Sequence, residues 1–278
     1  MTLFQSLLLG IVQGLTEFLP VSSTAHLILT PWLLNWSFDA NAAFVFDVLL
    51  QLGTVAAVVV YFARDLWAIA LAVLDGLRKG KPFESENARL GWLIVTATVP
   101  AAIVGLLFKD FFESLHHNPA IVAAILFGAA GLLFVVERYG KRQRGLDSLT
   151  WTDALLIGCS QALALLPGVS RSAATISGGL TRGLKREAAA RFSFLMSIPI
   201  LLAAGALAFK NLLEIPNFTG YLPSLVLGVV VAAAVGFASI HWLLGYLAKR
   251  SMDIFAWYRL GFGLLCLVVA FARGQFSF

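Results

Sequence analysis

The segment EFLPVSSTAHLIL, residues 17–29, places a carboxylate, a proline, three hydroxyl groups and a histidine inside an otherwise apolar opening stretch. Proline and a run of hydroxyl residues interrupt a membrane helix, and polar groups at membrane depth are tolerated where they are buried in protein or line a polar cavity. The segment therefore predicts a break in the first apolar stretch of the chain, with a polar cavity beside the break.

The composition around this segment is that of an integral membrane protein. Hydrophobic residues make up 59% of the 278 residues, charged residues only 13%, and the mean hydropathy is +0.86. The basic residues behind the net charge of +5 lie in short loops, where membrane orientation or anionic lipid explains them better than nucleic acid. Apolar runs long enough to cross a bilayer predict six spans, at about 44–62, 90–108, 119–137, 192–209, 223–247 and 257–272.

A second interrupted stretch resembles the first. LLLGIVQGLTEFLPVSST at 7–24 aligns with LLIGCSQALALLPGVSRS at 155–172. The alignment pairs Gly10 with Gly158, Gln13 with Gln161 and, after a one-residue gap, Pro20 with Pro167. Because three predicted spans follow each copy, we expect a single membrane domain, 1–278, made of two repeats, 1–147 and 148–278.

The basic residues predict how the two repeats sit in the membrane. Four loops are rich in Lys and Arg: 63–89 has five, 138–147 has four, 182–191 has four and 248–259 has three. No Lys or Arg lies before residue 44. Short cytoplasmic loops collect positive charge. The stretch 154–181 has a rich loop on both sides, so it should enter and leave on the same side, and its repeat partner 3–34 should do the same from outside.

The predicted fold is therefore all-α and polytopic, with six transmembrane helices and two re-entrant helical hairpins in an inverted-topology repeat. Three crossings per repeat invert the second repeat and place both termini on the extracytoplasmic side. The hairpin tips should meet near the midplane of the membrane, which is where such folds bind their ligands.

The two tips offer groups that suit a phosphate. Arg171 lies deep in an apolar segment, where a charge costs roughly 2.5–3.5 kcal/mol on insertion scales, so it needs an anionic partner. Glu17 is one candidate, and a purely structural Arg171–Glu17 ion pair is one interpretation. Hydroxyl groups and the free amides of helix N-termini favour a phosphate ligand instead. The residues in question are Ser22, Ser23, Thr24, Gly168, Ser170, Ser172 and Thr175.

Other polar residues could support this chemistry. Gln13 and Glu17 lie at i and i+4 and could together bind a divalent cation, Mg²⁺ or Ca²⁺. His26 could act as a general acid or base. Asp47 and Gln51, another i and i+4 pair, could line the cavity from the side together with Gln161, whereas the Trp257 and Tyr258 side chains are predicted to be interfacial anchors.

The segments QGLTEFLPVSSTAH (13–26) and LLPGVSRSAATISGG (165–179) together resemble the undecaprenyl-pyrophosphate phosphatase family, also called the bacitracin-resistance protein family. The resemblance extends over nearly the whole chain, including FDVLLQLGTVAAVVVYF (46–62) and RFSFLMSIPI (191–200). It implies a bacterial inner-membrane enzyme that hydrolyses undecaprenyl pyrophosphate to the monophosphate and inorganic phosphate on the extracytoplasmic side. Such an enzyme recycles the lipid carrier of cell-wall synthesis, and bacitracin sequesters the same lipid.

The resemblance also implies roles for single residues. Gln13 and Glu17 match the family's glutamate-rich motif, Ser23 its proposed nucleophile, His26 its histidine and Arg171 its phosphate-binding arginine. Ala25 and Ala173 depart from the pattern, because glycine is common at both places, but neither change removes a functional group. Either Glu17 or His26 could be the base, and either a phosphoserine or direct attack by water could be the route.

A function of another class uses the same architecture. Secondary transporters also pair broken hairpins in inverted repeats and bind a substrate or ion at the tips without chemistry. A lipid-phosphate or anion transporter is therefore the alternative, and phosphate release in detergent distinguishes the two. The sequence leaves the oligomeric state open, a homodimer included.

Overall fold

The structure is a computed structural model that describes residues 1–38, 40–213 and 218–275. Within these ranges every regular element is helical, apart from an isolated β-bridge between Arg144 and Leu184. The α-helices are α1 Leu3–Thr16, α2 Ser23–Leu33, α3 Ala40–Tyr61, α4 Ala63–Arg78, α5 Glu86–Leu107, α6 Lys109–His116, α7 Pro119–Gly128, α8 Ala130–Tyr139, α9 Trp151–Leu163, α10 Arg171–Thr181, α11 Arg186–Leu213, α12 Leu222–Leu247 and α13 Asp253–Ala272.

Five segments are long and apolar enough to cross a membrane, and a bent helix pair supplies a sixth. The five are α5, the run Pro119–Tyr139 that joins α7 and α8, Arg186–Lys210 of α11, α12 and α13. Large apolar side chains point outward from them, as Leu106 (82% exposed) and Phe271 (77%) illustrate. A soluble protein would bury such residues, so the outward face is a lipid-facing surface and the predicted polytopic, all-α fold is confirmed.

The first predicted span, 44–62, is present as α3, and the difference from the expectation lies just after it. The chain bends by 77° between Val45–Tyr61 and α4, and α4 occupies most of the region 63–89, which its basic residues predict to be a loop. Trp67, Leu71 and Leu74 of α4 are all about half exposed or more, at a helical spacing. An amphipathic helix with such an apolar stripe is suited to lie along the membrane surface, which explains why the run of apolar residues continues past the bend.

The two predicted interruptions are present and alike. Helices α1 and α2 have 14 and 11 residues, and α9 and α10 have 13 and 11. All four are shorter than the roughly 20 residues that a crossing needs, so each pair has the dimensions of a re-entrant hairpin. The breaks fall between Thr16 and Ser23 and between Leu163 and Arg171. The boundary between the repeats at 147/148 stays a prediction.

Glycines that the sequence alignment pairs occupy equivalent helix crossings. A Cβ atom added to Gly10 of α1 would lie 2.7 Å from the Gly228 carbonyl oxygen of α12. A Cβ atom added to Gly158 of α9 would lie 2.5 Å from the Ala97 carbonyl oxygen of α5. Small residues allow helix backbones in membranes to approach this closely. The first helix of each hairpin therefore packs against a span of the other predicted repeat, at matching positions.

A buried carboxylate ties the linker between the repeats to the second hairpin. Asp153 of α9 is fully buried and accepts hydrogen bonds from Arg144 Nη2 (2.6 Å) and Arg182 Nε (2.7 Å). Burial raises the pKa of Asp153, but the hydrogen bonds from Arg144, Arg182 and Thr150 outweigh burial and hold the pKa below its ordinary value. The carboxylate is therefore charged, and it fixes the start of α9 against the basic loops.

Candidate active site

The first hairpin tip, residues 17–22, places a carboxylate and a serine close together. Glu17 ends α1, and the chain then turns so that Ser22 caps α2 in a left-handed backbone conformation, with φ at 75°. The Ser22 hydroxyl accepts a hydrogen bond from the Ala25 amide, as an N-cap side chain does. A serine with positive φ is strained by about 1 kcal/mol, and such strain tends to be kept at functional sites. Ser23 is then the first residue of α2.

The second tip, residues 164–170, repeats this geometry with different chemistry. Ser170 caps α10 with φ at 75°, and its hydroxyl accepts a hydrogen bond from the Ala173 amide. Arg171 is the first residue of α10. Ser23 and Arg171 therefore occupy equivalent positions in the two hairpins, each at the positive end of a short helix.

Direct contacts join the two tips. Arg171 Nη2 lies 3.0 Å from Glu17 Oε1, and the Ser172 hydroxyl donates to the Leu19 carbonyl oxygen at 2.9 Å. Arg171 Nη1 donates to the Ser193 carbonyl of α11 at 3.1 Å. The Arg171–Glu17 ion pair that the sequence suggested is therefore present in the structure, and both residues line a cavity.

Glu17 is the centre of the polar network. Its Oε2 accepts a hydrogen bond from Ser23 Oγ at 2.7 Å and another from Gln13 Nε2 at 3.1 Å. The Gln13 amide also reaches Thr54 Oγ1 at 3.3 Å. A carboxylate that accepts a hydrogen bond from a serine hydroxyl is placed to take its proton as a general base.

A cavity of about 190 Å³ opens between the tips and α11. Its lining combines polar and apolar residues. The polar residues are Glu17, Ser22, Ser23, Thr24, Gln51, Gln161, Ser170 and Arg171, and the apolar residues are Ala164, Leu165, Leu166, Ile200, Leu201 and Ala204. Such a cavity suits a ligand with a charged head and a hydrocarbon tail.

Four buried polar atoms here have no hydrogen-bond partner among the described residues. They are Oε1 and Nε2 of Gln161, Nε of Arg171 and Oε1 of Gln13. Gln161 is only 2% exposed and lines the cavity, and Arg171 lines it too. Because an unpaired buried polar atom costs roughly 1–3 kcal/mol, these groups are expected to bind a ligand that enters the cavity.

His26 lies beside the site but does not line the cavity. Its Nδ1 is 2.7 Å from the Ser22 carbonyl oxygen, and its Nε2 is 2.7 Å from the Tyr258 hydroxyl. The ring stacks on Phe262 with 4.6 Å between centroids. Both ring nitrogens are thus engaged away from Ser23 Oγ, and the geometry favours Glu17 over His26 as the base.

The remaining candidates are distributed between the cavity and its surroundings. Thr175 bonds to the Arg171 carbonyl and the Ser193 hydroxyl, so it supports α10 from behind. Gly168, with φ at 109°, forms the turn of the second tip. Asp47 and Gln51, predicted to line the same cavity, line two different ones. Gln51 lines the cavity between the tips, and Asp47 lines a second cavity with Trp32, Trp36 and His117. The helical spacing alone could not tell which side of α3 faces the tips.

The described residues contain no group of three or more His, Cys, Asp or Glu side chains that could hold a metal ion. Glu17 offers a carboxylate, and Gln13 offers an Oε1 with no partner among the described residues, but Gln13 faces Glu17 with its Nε2, which donates to Glu17 Oε2. Mg²⁺ is often bound by one or two carboxylates together with phosphate oxygens of a substrate. A cation held by Gln13, Glu17 and phosphate oxygens therefore stays a prediction.

Two residues outside the predicted set of site residues contact the tips or their neighbours. Arg259, which the sequence places in the basic segment 248–259, is fully buried in α13 and donates to the Gly168 carbonyl oxygen at 2.8 Å. Tyr258, predicted to be an interfacial anchor, is 46% exposed, and its hydroxyl also contacts His26. A basic residue at the start of an apolar run could have drawn attention to Arg259, whereas nothing local marks the Tyr258 contact, which spans most of the chain.

Comparison with known proteins gives a consistent result. Residues 6–265 match a family described as bacitracin resistance protein BacA. An undecaprenyl-diphosphatase of Chlorobaculum tepidum is 45% identical over 278 residues, covering 96% of this chain and 98% of the relative. One of Chlorobium phaeovibrioides is 46% identical over 277 residues, with 97% of each chain covered. One of Myxococcus xanthus is 45% identical over 269 residues, covering 97% of this chain and 89% of the relative.

Proposed function

Because the chain belongs to the bacitracin resistance protein BacA family, we propose that the cavity between the two tips is where it binds and cleaves undecaprenyl pyrophosphate. The chain is an undecaprenyl-diphosphatase, a membrane enzyme that hydrolyses this lipid to undecaprenyl phosphate and inorganic phosphate. The observation that supports the location is the contact sequence from Ser23 Oγ to Glu17 and on to Arg171, at 2.7 and 3.0 Å, along one wall of the cavity.

In the first step Ser23 Oγ attacks the terminal phosphorus. Glu17 Oε2 takes the hydroxyl proton as the Oγ–P bond forms. The bond from that phosphorus to the bridging oxygen breaks, and undecaprenyl phosphate leaves with the electron pair. The 2.7 Å contact between Ser23 Oγ and Glu17 Oε2 supports this proton transfer.

In the second step a water molecule attacks the phosphoserine. The P–Oγ bond breaks, Glu17 returns its proton to Ser23 Oγ, and inorganic phosphate leaves with both protons of the water. Direct attack of water on the substrate, with Glu17 as its base, is the competing route.

Binding of the diphosphate is assigned to groups at the start of the two short helices. Arg171 Nε, which has no partner in the described part of the chain, donates to a phosphate oxygen, and the first amides of α2 and α10 do the same. The Ser22, Thr24 and Ser170 hydroxyl groups line the same space. A divalent cation held by Gln13 and Glu17 would neutralise charge on the phosphates when bound.

The apolar lining of the cavity supports a position for the lipid tail, and the distribution of basic residues supports an orientation in the membrane. Leu165, Leu166 and Leu201 are apolar residues of the cavity lining, and we assign the first isoprene units to them. The basic loops around Arg144 and Arg182 favour a cytoplasmic location for that end of the protein. The site is accordingly proposed to open to the extracytoplasmic side of the inner membrane, with both termini outside.

The test is phosphate release from undecaprenyl pyrophosphate by protein purified in detergent. Wild-type protein should release phosphate, and rapid quenching with substrate labelled in the terminal phosphate should trap label on Ser23. Ser23→Ala should abolish both signals, whereas Ser239→Ala, which removes a hydroxyl bonded to a backbone carbonyl within α12, should keep both.

Each alternative has its own outcome. A pure transporter would release no phosphate in detergent, where no compartments exist. Release without labelled protein, retained in Ser23→Ala, would indicate direct attack by water. A chelator should stop release and added Mg²⁺ or Ca²⁺ should restore it, and release that ignores the chelator would refute the cation assignment.

A further inference from the structure

Two consecutive residues of the last helix each contact a different hairpin tip. The Tyr258 hydroxyl lies 2.7 Å from His26 Nε2, next to the first tip. Arg259 Nη2 donates to the Gly168 carbonyl oxygen of the second tip at 2.8 Å. Consecutive side chains of an α-helix point about 100° apart, so one helix can reach two neighbouring elements from adjacent positions.

His26 links the Tyr258 hydroxyl to Ser22, the residue before the proposed nucleophile Ser23. The Ser22 carbonyl oxygen can only accept a hydrogen bond, so His26 Nδ1 carries the proton and His26 Nε2 accepts one from the Tyr258 hydroxyl. The Ser22 carbonyl belongs to the same peptide group as the Ser23 amide. The hydroxyl, the imidazole and the carbonyl therefore form a chain that fixes the peptide plane from which Ser23 projects.

The contact from Arg259 acts on the second tip in the same way. Gly168 is pressed against α7, because an added Cβ atom would lie 2.9 Å from both the Leu126 amide nitrogen and the Val122 carbonyl oxygen. Arg259 also holds this turn, through its hydrogen bond to the Gly168 carbonyl oxygen. Gly168 lies two residues before Ser170, the cap of α10, and three before Arg171.

The burial of Arg259 is costly. The side chain is fully buried, and its Nε and Nη1 have no partner among the described residues. A buried charge without an acidic partner is expensive in a membrane protein and marks a function there. Packing alone would be served better by an apolar side chain.

We propose that Tyr258 and Arg259 are positioning residues that hold the two tips in register, so that Ser23 and Arg171 face the same diphosphate. The proposal rests on the proposed function of the cavity. Because both anchors belong to one rigid helical turn, the distance between them is fixed, and any shift of α13 moves both tips together. Neither residue lines the cavity, so both act through the backbone of the tips.

The first test is Tyr258→Phe, which removes one oxygen and keeps the ring that stacks on His26 and Phe262. Misplacement of a reacting group lowers turnover more than binding, so we expect kcat to fall roughly 10- to 100-fold with KM within about twofold of wild type. Tyr61→Phe is the matched control, because the Tyr61 hydroxyl also faces a histidine, His241 Nδ1 at 3.5 Å. It should leave kcat unchanged.

The second test places Tyr258→Phe in a His26→Ala background. If Tyr258 acts through His26, the second substitution adds no further loss of kcat. A full additional loss would overturn the proposal, as would wild-type kcat in Tyr258→Phe alone or an equal loss in Tyr61→Phe.

The third test is Arg259→Met, compared with Arg273→Met. Arg273 also donates to backbone carbonyls, those of Trp32 and Leu33, but at the far end of α2. When the two variants are compared at equal folded yield, Arg259→Met should lower kcat at least tenfold more than Arg273→Met does. Equal losses of kcat would refute the proposal. If Arg259→Met does not fold, the Tyr258 experiments decide. Absence of activity in the wild type would refute the proposed function instead.

Discussion

At the scale of single residues, Gln161 illustrates how a functional side chain differs from a structural one. Gln13, which aligns with Gln161 in the sequence, donates from its Nε2 to Glu17 and Thr54, whereas neither amide atom of Gln161 has a hydrogen-bond partner among the residues that the structure describes. A structural glutamine at 2% exposure would be bonded on at least one side. We infer that Gln161 contacts the diphosphate in the bound state.

Gln161→Leu tests this assignment. Loss of a hydrogen bond to a charged group should raise KM about tenfold or more, while removal of unpaired buried polar atoms should leave thermal stability equal or higher. Gln161→Glu should raise KM further, since it adds a negative charge next to the phosphates. Steady-state kinetics and thermal unfolding in detergent measure both effects. A lower unfolding temperature with unchanged KM would identify Gln161 as structural.

At the scale of elements, the sequence predicted the site better than the arrangement of the helices. The alignment of the two interrupted stretches located both tips, and the unusual polar residues identified Glu17, Ser23 and Arg171, which the structure brings together. It did not predict α4, because a helix at the membrane surface has neither the length of a span nor the polarity of a loop. Side-chain direction was also beyond reach, as Asp47 shows.

The paired glycines provide a test at this scale. Gly158→Ala and Gly10→Ala should each lower the unfolding temperature in detergent, because the added methyl group meets a carbonyl oxygen of the facing helix, at a cost of about 1–3 kcal/mol. Gly261→Ala in α13 is the control, since its Cβ atom would meet nothing within 4 Å. Alanine is a better helix former than glycine, so this variant should be at least as stable as wild type. Equal stability of all three variants would contradict the close crossings.

At the scale of the whole molecule, the linker between the repeats is anchored by charge. Asp153→Asn should destabilise the protein by about 1–3 kcal/mol, less than the loss of a fully buried pair, because the Arg144 and Arg182 side chains are 31% and 38% exposed. The pKa of Asp153 is lowered in the folded state, so its stabilisation is complete above the ordinary aspartate pKa of about 3.9 and is lost as the pH falls below it.

The difference in unfolding temperature between wild type and Asp153→Asn should therefore stay constant from about pH 8 to pH 5 and shrink below about pH 4. Thermal unfolding across this range measures it. A difference that already disappears between pH 7 and pH 5 would show that Asp153 is not held as a charged group by the two arginines.

Ser23 and Arg171 begin equivalent helices in two copies of the same hairpin, and they differ in kind. Two identical copies would have set either a pair of nucleophiles or a pair of cations face to face, and neither pair could both attack a phosphorus and hold the anion. Because Ser23 is proposed to attack and Arg171 to hold the anion, the two equivalent positions give the proposed site a direction. The diphosphate then has one productive orientation, with its terminal phosphorus at Ser23 Oγ.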